Sequence, residues 1–225
     1  MNKQTAVIIG ATGLIGSLLV ETLLNDDSFE TVRVLVRRPY AKQHPKLEIG
    51  VVDFGNLTDY ANKLGTGDSI FCCIGTTQKK VNGDKEAYRK IDYDIAVNAA
   101  LLGKEAGFTQ YLLVSSLGAD EKASGFYLKL KGEIETKIAL IGFAGFHIFR
   151  PSFLLGNRNE TRIGESIMKI VFEGLSSLFF ASMTKYKAIE AQRVATAMAT
   201  AAKEAFVGKK IYYYDEMKER LDSSY

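Results

Sequence analysis

The hydrophobic positions of the chain switch repeatedly between two patterns. Short runs that are apolar on both faces, "AVIIG", "TVRVLV", "KLEIGVVD", "DSIFCCIG", "QYLLVSS", "GFHIFRP" and "KKIYYY", read as strands. Helical patterns separate them: one ending near Leu24, a long one through "AVNAALLGKEAG", one holding Tyr127, one from about Gly164 and one from Ile189 to Phe206. Strands buried on both faces and alternating with helices predict a parallel sheet covered on both sides, a doubly wound α/β fold. Ligands of such sheets bind beyond the carboxyl ends of the strands. The residues that follow each strand are therefore the first candidates for chemistry.

Composition narrows the picture. The 225 residues include 47% hydrophobic positions and only three prolines, with no Ser/Pro-rich linker, which predicts one domain with a real core. A net charge of +3 rests on scattered lysines, paired only at Lys79–Lys80 and Lys209–Lys210, so nucleic acid is not an expected partner. The start "MNKQTAVIIGATG" lacks a secretory pattern, and no apolar run reaches the ~18 residues of a membrane span. Adjacent Cys72 and Cys73 on a strand point to opposite faces and cannot easily be bridged, which reads as a reduced, cytoplasmic protein.

The turn after the first strand is "GATGLIG", with Gly10, Gly13 and Gly16 three apart and a helix opening at Gly13. Chance would supply only ~0.2 such triplets at this glycine content. A tight turn, close approach of backbone to a pyrophosphate and close packing of helix on strand each call for one of the glycines, with the anion at the helix N-terminus. The second strand ends not in an acidic residue suited to ribose hydroxyls but in Arg37 and Arg38. Guanidinium groups hold a 2′-phosphate by charged hydrogen bonds, so NADP (as NADPH) is the expected cofactor. Asp53, after the third strand, is placed either to accept from the adenine amino group or to cap the next helix. After the fourth strand, Ile74, Gly75 and Thr76 either bring backbone to the cofactor ribose or simply relieve a tight turn.

Tyr127 and Lys131 lie four apart in "FYLKLKGEIE", about 40° apart around one helix. With 11 tyrosines, about one such pair is expected by chance, and Tyr214 with Lys218 repeats it. Position separates the two. Tyr127 follows the serines of "LLVSS" directly beyond a strand end, whereas Tyr214 follows the last strand with no serine nearby. Hydride transfer to a carbonyl leaves an alkoxide to be protonated, which a phenol can do when a nearby cation favours the phenolate. Ser116 would polarise the carbonyl oxygen; Ser115 is the alternative, further from the strand's end.

The chain resembles an atypical short-chain dehydrogenase/reductase of the Rossmann fold. The G-x-x-G-x-x-G spacing and the runs "CCIGTT", "SSLGADEKASGFYLKLKGEIE" and "FRPSFLLGNR" are similar to those of the Tat-interacting-protein-like oxidoreductases that bind NADPH. The resemblance implies that Thr12, Gly13, Leu14 and Ile15 lie on the pyrophosphate, Arg37 and Arg38 on the 2′-phosphate, and Tyr127 and Lys131 on the nicotinamide ribose. It places Leu154 at the carboxamide and lets Arg162 reach the cofactor. Residues 152–190, with the amphipathic "SIMKIVFEGLSSLFF", are expected to form a substrate-side lid, ahead of a subunit contact or a membrane contact. His44 and His147 are isolated and suggest no metal site. The expected activity is reduction of a small carbonyl or related molecule. A cofactor-loaded regulator of the NmrA type and a nucleotide-sugar epimerase or dehydratase are the alternatives.

Overall fold

The computed structural model describes residues 3–155, 187–204 and 206–222. Seven strands form one parallel sheet: β1 (Gln4–Ile9), β2 (Phe29–Val36), β3 (Leu47–Val51), β4 (Ser69–Cys72), β5 (Gln110–Val114), β6 (Gly145–Phe149) and β9 (Gly208–Tyr212). Their order is β3-β2-β1-β4-β5-β6-β9, so the direction of winding reverses between β1 and β4. That reversal opens the crevice in which doubly wound sheets bind their ligands. Two short strands, β7 (Leu154–Leu155) and β8 (Ile189–Glu190), pair with each other outside the sheet.

Alternation along each strand builds two cores. Ala6 and Ile8 of β1 face the helices α1 (Leu14–Leu24), α6 (Ala191–Ala202) and α7 (Tyr214–Asp222). Val7 and Ile9 face α2 (Leu57–Leu64), α4 (Ile95–Glu105) and α5 (Phe126–Ile141), while α3 (Lys85–Arg89) is a short helix ahead of α4. The same alternation sends Cys72 into the second core and Cys73 against the first, both as free thiols. Burial pushes the Cys72 thiol above its ordinary value, as expected of an apolar filler rather than a reactive thiol. His147 is buried between Tyr212 Oη (2.8 Å from Nδ1) and Gln110 Oε1 (2.9 Å from Nε2), a satisfied core histidine.

Two elements differ from the sequence pattern. The helix expected from Ile189 begins at Ala191, because Ile189 and Glu190 pair with Leu154 and Leu155 in extended conformation. The Ile189 N–H donates to Phe153 O at 2.8 Å, so the two ends of the expected lid meet at one point. The helix through "AVNAALLGKEAG" is entered from α3 through a π-helical stretch, Lys90–Asp94, which no hydrophobic periodicity announces. The helical region from Gly164, Arg162 and most of the expected lid fall outside the described residues. Among those described, no helix is long and apolar enough to cross a membrane.

Candidate active site

The first turn is shaped by packing before any ligand is considered. Gly10 has φ +87°, and a Cβ there would stand 2.6 Å from the Cys73 carbonyl, where β1 and β4 part. At Gly16 a Cβ would lie 2.1 Å from Gly10 O, so α1 rests directly on the turn. Gly13 is different: a Cβ would be 3.2 Å from its nearest neighbour, a contact with some room to give. It occupies the N-cap of α1 without any side-chain cap, and the first turn of α1 carries no acidic residue. The first N–H groups of a helix have no intrahelical acceptor. Left uncapped beside the crevice at Leu14 and Ile15, they suit the pyrophosphate of a dinucleotide, with Thr12 exposed next to them.

On the other side of β1, Arg37 and Arg38 emerge from the end of β2, exposed and in no ion pair. Arg37 lines an open cleft of about 960 Å³ together with Asp53, Phe54, Lys90 and Asn98. The helix-cap alternative for Asp53 does not hold. Asn56 caps α2, accepting the Asp59 N–H at 3.1 Å, while Asp53 Oδ1 accepts from the Gly55 N–H at 2.9 Å in a tight turn on the cleft wall. Lys90, on the π-helical stretch, is a cation of this cleft that the sequence pattern did not single out.

Beyond β4 and β5 the expected catalytic groups come together on α5. Tyr127, half-buried in its first turn, has the Lys131 Nζ 5.9 Å from its ring centre. Lys131 is only 4% exposed and forms an ion pair with Asp92 of the π-helical stretch, Nζ to Oδ2 3.1 Å. The other oxygen of Asp92 accepts the Thr76 N–H at 2.7 Å, and the Tyr88 hydroxyl donates to Thr76 O at 2.9 Å. Burial alone would drive the Lys131 ammonium towards neutrality, but the Asp92 carboxylate and the Tyr127 phenol more than offset it, so its pKa is raised. Gly75 beside this pair is exposed, and a Cβ there would meet nothing closer than Asp92 Oδ2 at 3.9 Å. Protein packing does not demand glycine at Gly75, so the turn between Ile74 and Thr76 keeps an open backbone face.

The two serines divide. Ser115 donates its hydroxyl to Glu135 of α5, a buried carboxylate held by Arg150 through Nε at 3.0 Å and Nη2 at 2.5 Å. Ser116 makes only a long hydrogen bond to its neighbour, Leu117 O, at 3.3 Å. The loop that follows lies directly on α5, because a Cβ at Gly132 would stand 2.2 Å from the backbone of Asp120 and Glu121. Asp92, Glu135, Arg150 and Gly132 were not singled out in the sequence. The available signals were a second residue four positions on from Lys131 and an arginine just past a strand end. Tyr214 and Lys218 lie on α7, the tyrosine against the first core and the lysine in solvent. Leu154 sits at the edge of β7, 36% exposed.

An uncapped glycine turn at the switch point, with Tyr, Lys and Ser beyond the neighbouring strands, defines a dinucleotide-binding domain of the dehydrogenase type. A family model described as NAD(P)H-binding matches residues 10–140. The protein HTATIP2 of Rattus norvegicus is 34% identical over 178 residues, covering 78% of this chain and 73% of the relative. The mitochondrial protein FMP52 of Debaryomyces hansenii is 36% identical over 160 residues, 71% and 70% of the two chains. The chain belongs to the NAD(P)H-binding family, in the atypical short-chain dehydrogenase/reductase group that holds HTATIP2 and FMP52. Among solved structures, the Bordetella bronchiseptica enzyme WbmH in complex with NAD+ superposes with a TM-score of 0.72 at 18% identity, over 94% of this chain and 76% of that one. The UDP-N-acetylglucosamine 4-epimerase of Methanobrevibacter ruminantium gives 0.70 at 16% identity, over 95% and 77%. At such identities the likeness is one of fold.

The cytoplasmic location expected from the cysteines does not stand. FMP52 relatives from Debaryomyces hansenii, Coccidioides immitis and Candida albicans are named as mitochondrial proteins. Adjacent unbridged thiols on a strand report geometry and a reducing environment, which a mitochondrial interior shares with the cytoplasm.

Proposed function

We propose that the protein is an NADPH-dependent oxidoreductase that reduces a small carbonyl or related compound, with Tyr127 as the proton donor. The observation that carries this reading is the shared face of α5. It sets the Tyr127 hydroxyl and a buried, charged Lys131 beyond the ends of β4 and β5, beside the open turn at Gly75. The nicotinamide, when bound, supplies the hydride. As the hydride reaches the carbonyl carbon, the π pair of the C=O bond moves to oxygen, and that oxygen takes the Tyr127 proton. Ser116, whose hydroxyl is held only weakly, donates to the same oxygen and lowers the cost of its developing charge. Ser115 is committed to Glu135 and holds α5 against β5. Lys131 hydrogen-bonds the nicotinamide ribose and steadies the phenolate that Tyr127 becomes.

Arg37 and Arg38 take the 2′-phosphate, and Asp53 the adenine side of the same cleft. Their freedom from protein carboxylates supports NADP over NAD, since a guanidinium already paired has little to offer a phosphate. Leu154 and Arg162 complete the cofactor site by the family resemblance. Consumption of NADPH against a panel of aldehydes, ketones and quinones, with NADPH binding measured on the same protein, tests the reading. Turnover abolished by Tyr127→Phe is the expected result. Tight NADPH binding with no turnover on any of the panel would turn the assignment to a cofactor-loaded regulator.

A further inference from the structure

Asp92 has no place in the chemistry described so far, yet the fold goes to some length to put it where it is. It is 1% exposed, and a buried carboxylate is costly unless paired. It stands on the π-helical stretch Lys90–Asp94, a local widening that shifts a residue out of helical register and recurs at functional sites. Neither of its oxygens reaches solvent or a surface cation. Oδ1 takes the Thr76 N–H at 2.7 Å, and Oδ2 has the Lys131 ammonium at 3.1 Å and no other hydrogen-bond partner. The groups that face Lys131 are Asp92 from the π-helical stretch, Tyr127 from its own helix and Cys72 from β4, with Tyr88 of α3 facing Asp92 and Tyr127. Among these, Asp92 is the one carboxylate.

We propose that Asp92 is a positioning residue: its carboxylate keeps the buried Lys131 ammonium charged and aimed at the cofactor, and its grip on the Thr76 N–H ties that ammonium to the turn after β4. The inference rests on the reading of Lys131 as a cofactor-binding group. A buried ammonium without a counter-charge discharges as the pH rises, because burial favours the neutral amine. Asp92 prevents this. It also cancels the positive field that a lone ammonium would impose on the oxidised, cationic nicotinamide, so both cofactor forms can be held.

The test is the pH dependence of NADPH and NADP+ affinity between pH 7 and 9.5, a range in which a phosphate is already almost fully ionised. In the unchanged protein Lys131 stays protonated, and NADPH affinity should vary less than about twofold across it. Asp92→Asn keeps an acceptor for the Thr76 N–H but removes the charge; NADPH affinity should lie close to the unchanged protein's at pH 7 and fall about tenfold or more by pH 9.5, the worth of one charged hydrogen bond. NADP+ should be weakened more than NADPH at pH 7, where the uncompensated ammonium survives. Asp92→Glu restores the charge and should restore a flat profile. Lys131→Met should bind weakly and independently of pH.

An Asp92→Asn profile parallel to that of the unchanged protein overturns the proposal. Lys131→Met binding NADPH with undiminished affinity would instead overturn the underlying reading of Lys131. Should Asp92→Asn fail to fold, Asp92→Glu decides, since a pH-dependent loss of affinity in that variant also overturns the proposal.

Discussion

Tyr127 carries a single hydroxyl in a half-buried setting, so Tyr127→Phe keeps the ring and most of its packing and deletes only the proton. The turnover number should fall by roughly 10²–10⁴, while NADPH affinity changes far less. Tyr214→Phe removes the same hydroxyl from the other Tyr-x-x-x-Lys pair and should leave activity intact; steady-state kinetics of the two variants side by side would expose a wrong choice of site. At the opposite end of the crevice the question is charge. NADPH should bind about tenfold or more tightly than NADH, because each free guanidinium adds a charged hydrogen bond to the 2′-phosphate. Replacing both Arg37 and Arg38 with Ala should remove most of that gap, and equal affinities in the unchanged protein, measured by fluorescence titration, would refute the role given to them.

Helix α1 separates glycines that the fold requires from one the ligand requires. A side chain at Gly16 would drive into Gly10 O, so Gly16→Val should destabilise the whole domain. Gly13→Val meets looser surroundings and adopts φ −79°, open to any residue, so the variant should fold with a nearly normal circular dichroism spectrum and fail to bind either dinucleotide. Retained binding would make the turn merely structural. Helix α5 carries a second dependence through Glu135. Arg150→Met would strand that carboxylate among buried groups with only Ser115 as donor, and loss of one partner of a buried pair costs about 3–5 kcal/mol. Thermal unfolding should show this as a fall in Tm of roughly 6–20 °C at the 2–4 °C per kcal/mol usual for this size. A change within a degree or two would mean that the pair contributes little.

For the molecule as a whole, the site spans several consecutive strand ends, so a bound dinucleotide stabilises the folded state throughout. NADPH at 100 times its dissociation constant should add about 2.7 kcal/mol and raise Tm by roughly 5–10 °C. NADH at the same concentration should add much less, and an equal shift with both would speak against NADP preference. The strands, their parallel order around the crevice and the positions of Gly10, Gly13, Arg37, Tyr127 and Lys131 were legible because each depends on residues close together in the chain: a period of two, a glycine spacing, a pair one helical turn apart. Cys72 and Cys73 fell on opposite faces for the same reason.

Other features depend on groups that meet only when the sheet closes. Asp92 is 39 positions from Lys131, and the π-helical stretch that turns it inward has no hydrophobic signature, so no spacing rule links the two. Ser115 and Ser116 are indistinguishable as neighbours; Glu135 and Arg150, arriving from α5 and the end of β6, take one hydroxyl and leave the other weakly held. Asp53 lost its place as a cap to Asn56 through the path of one short loop. Local pattern settles which backbone each segment adopts because hydrogen bonding and side-chain alternation act over a few residues. Burial of charge is settled only by what the other strands and helices bring, since the cost of a buried carboxylate and the ammonium that offsets it belong to the assembled core.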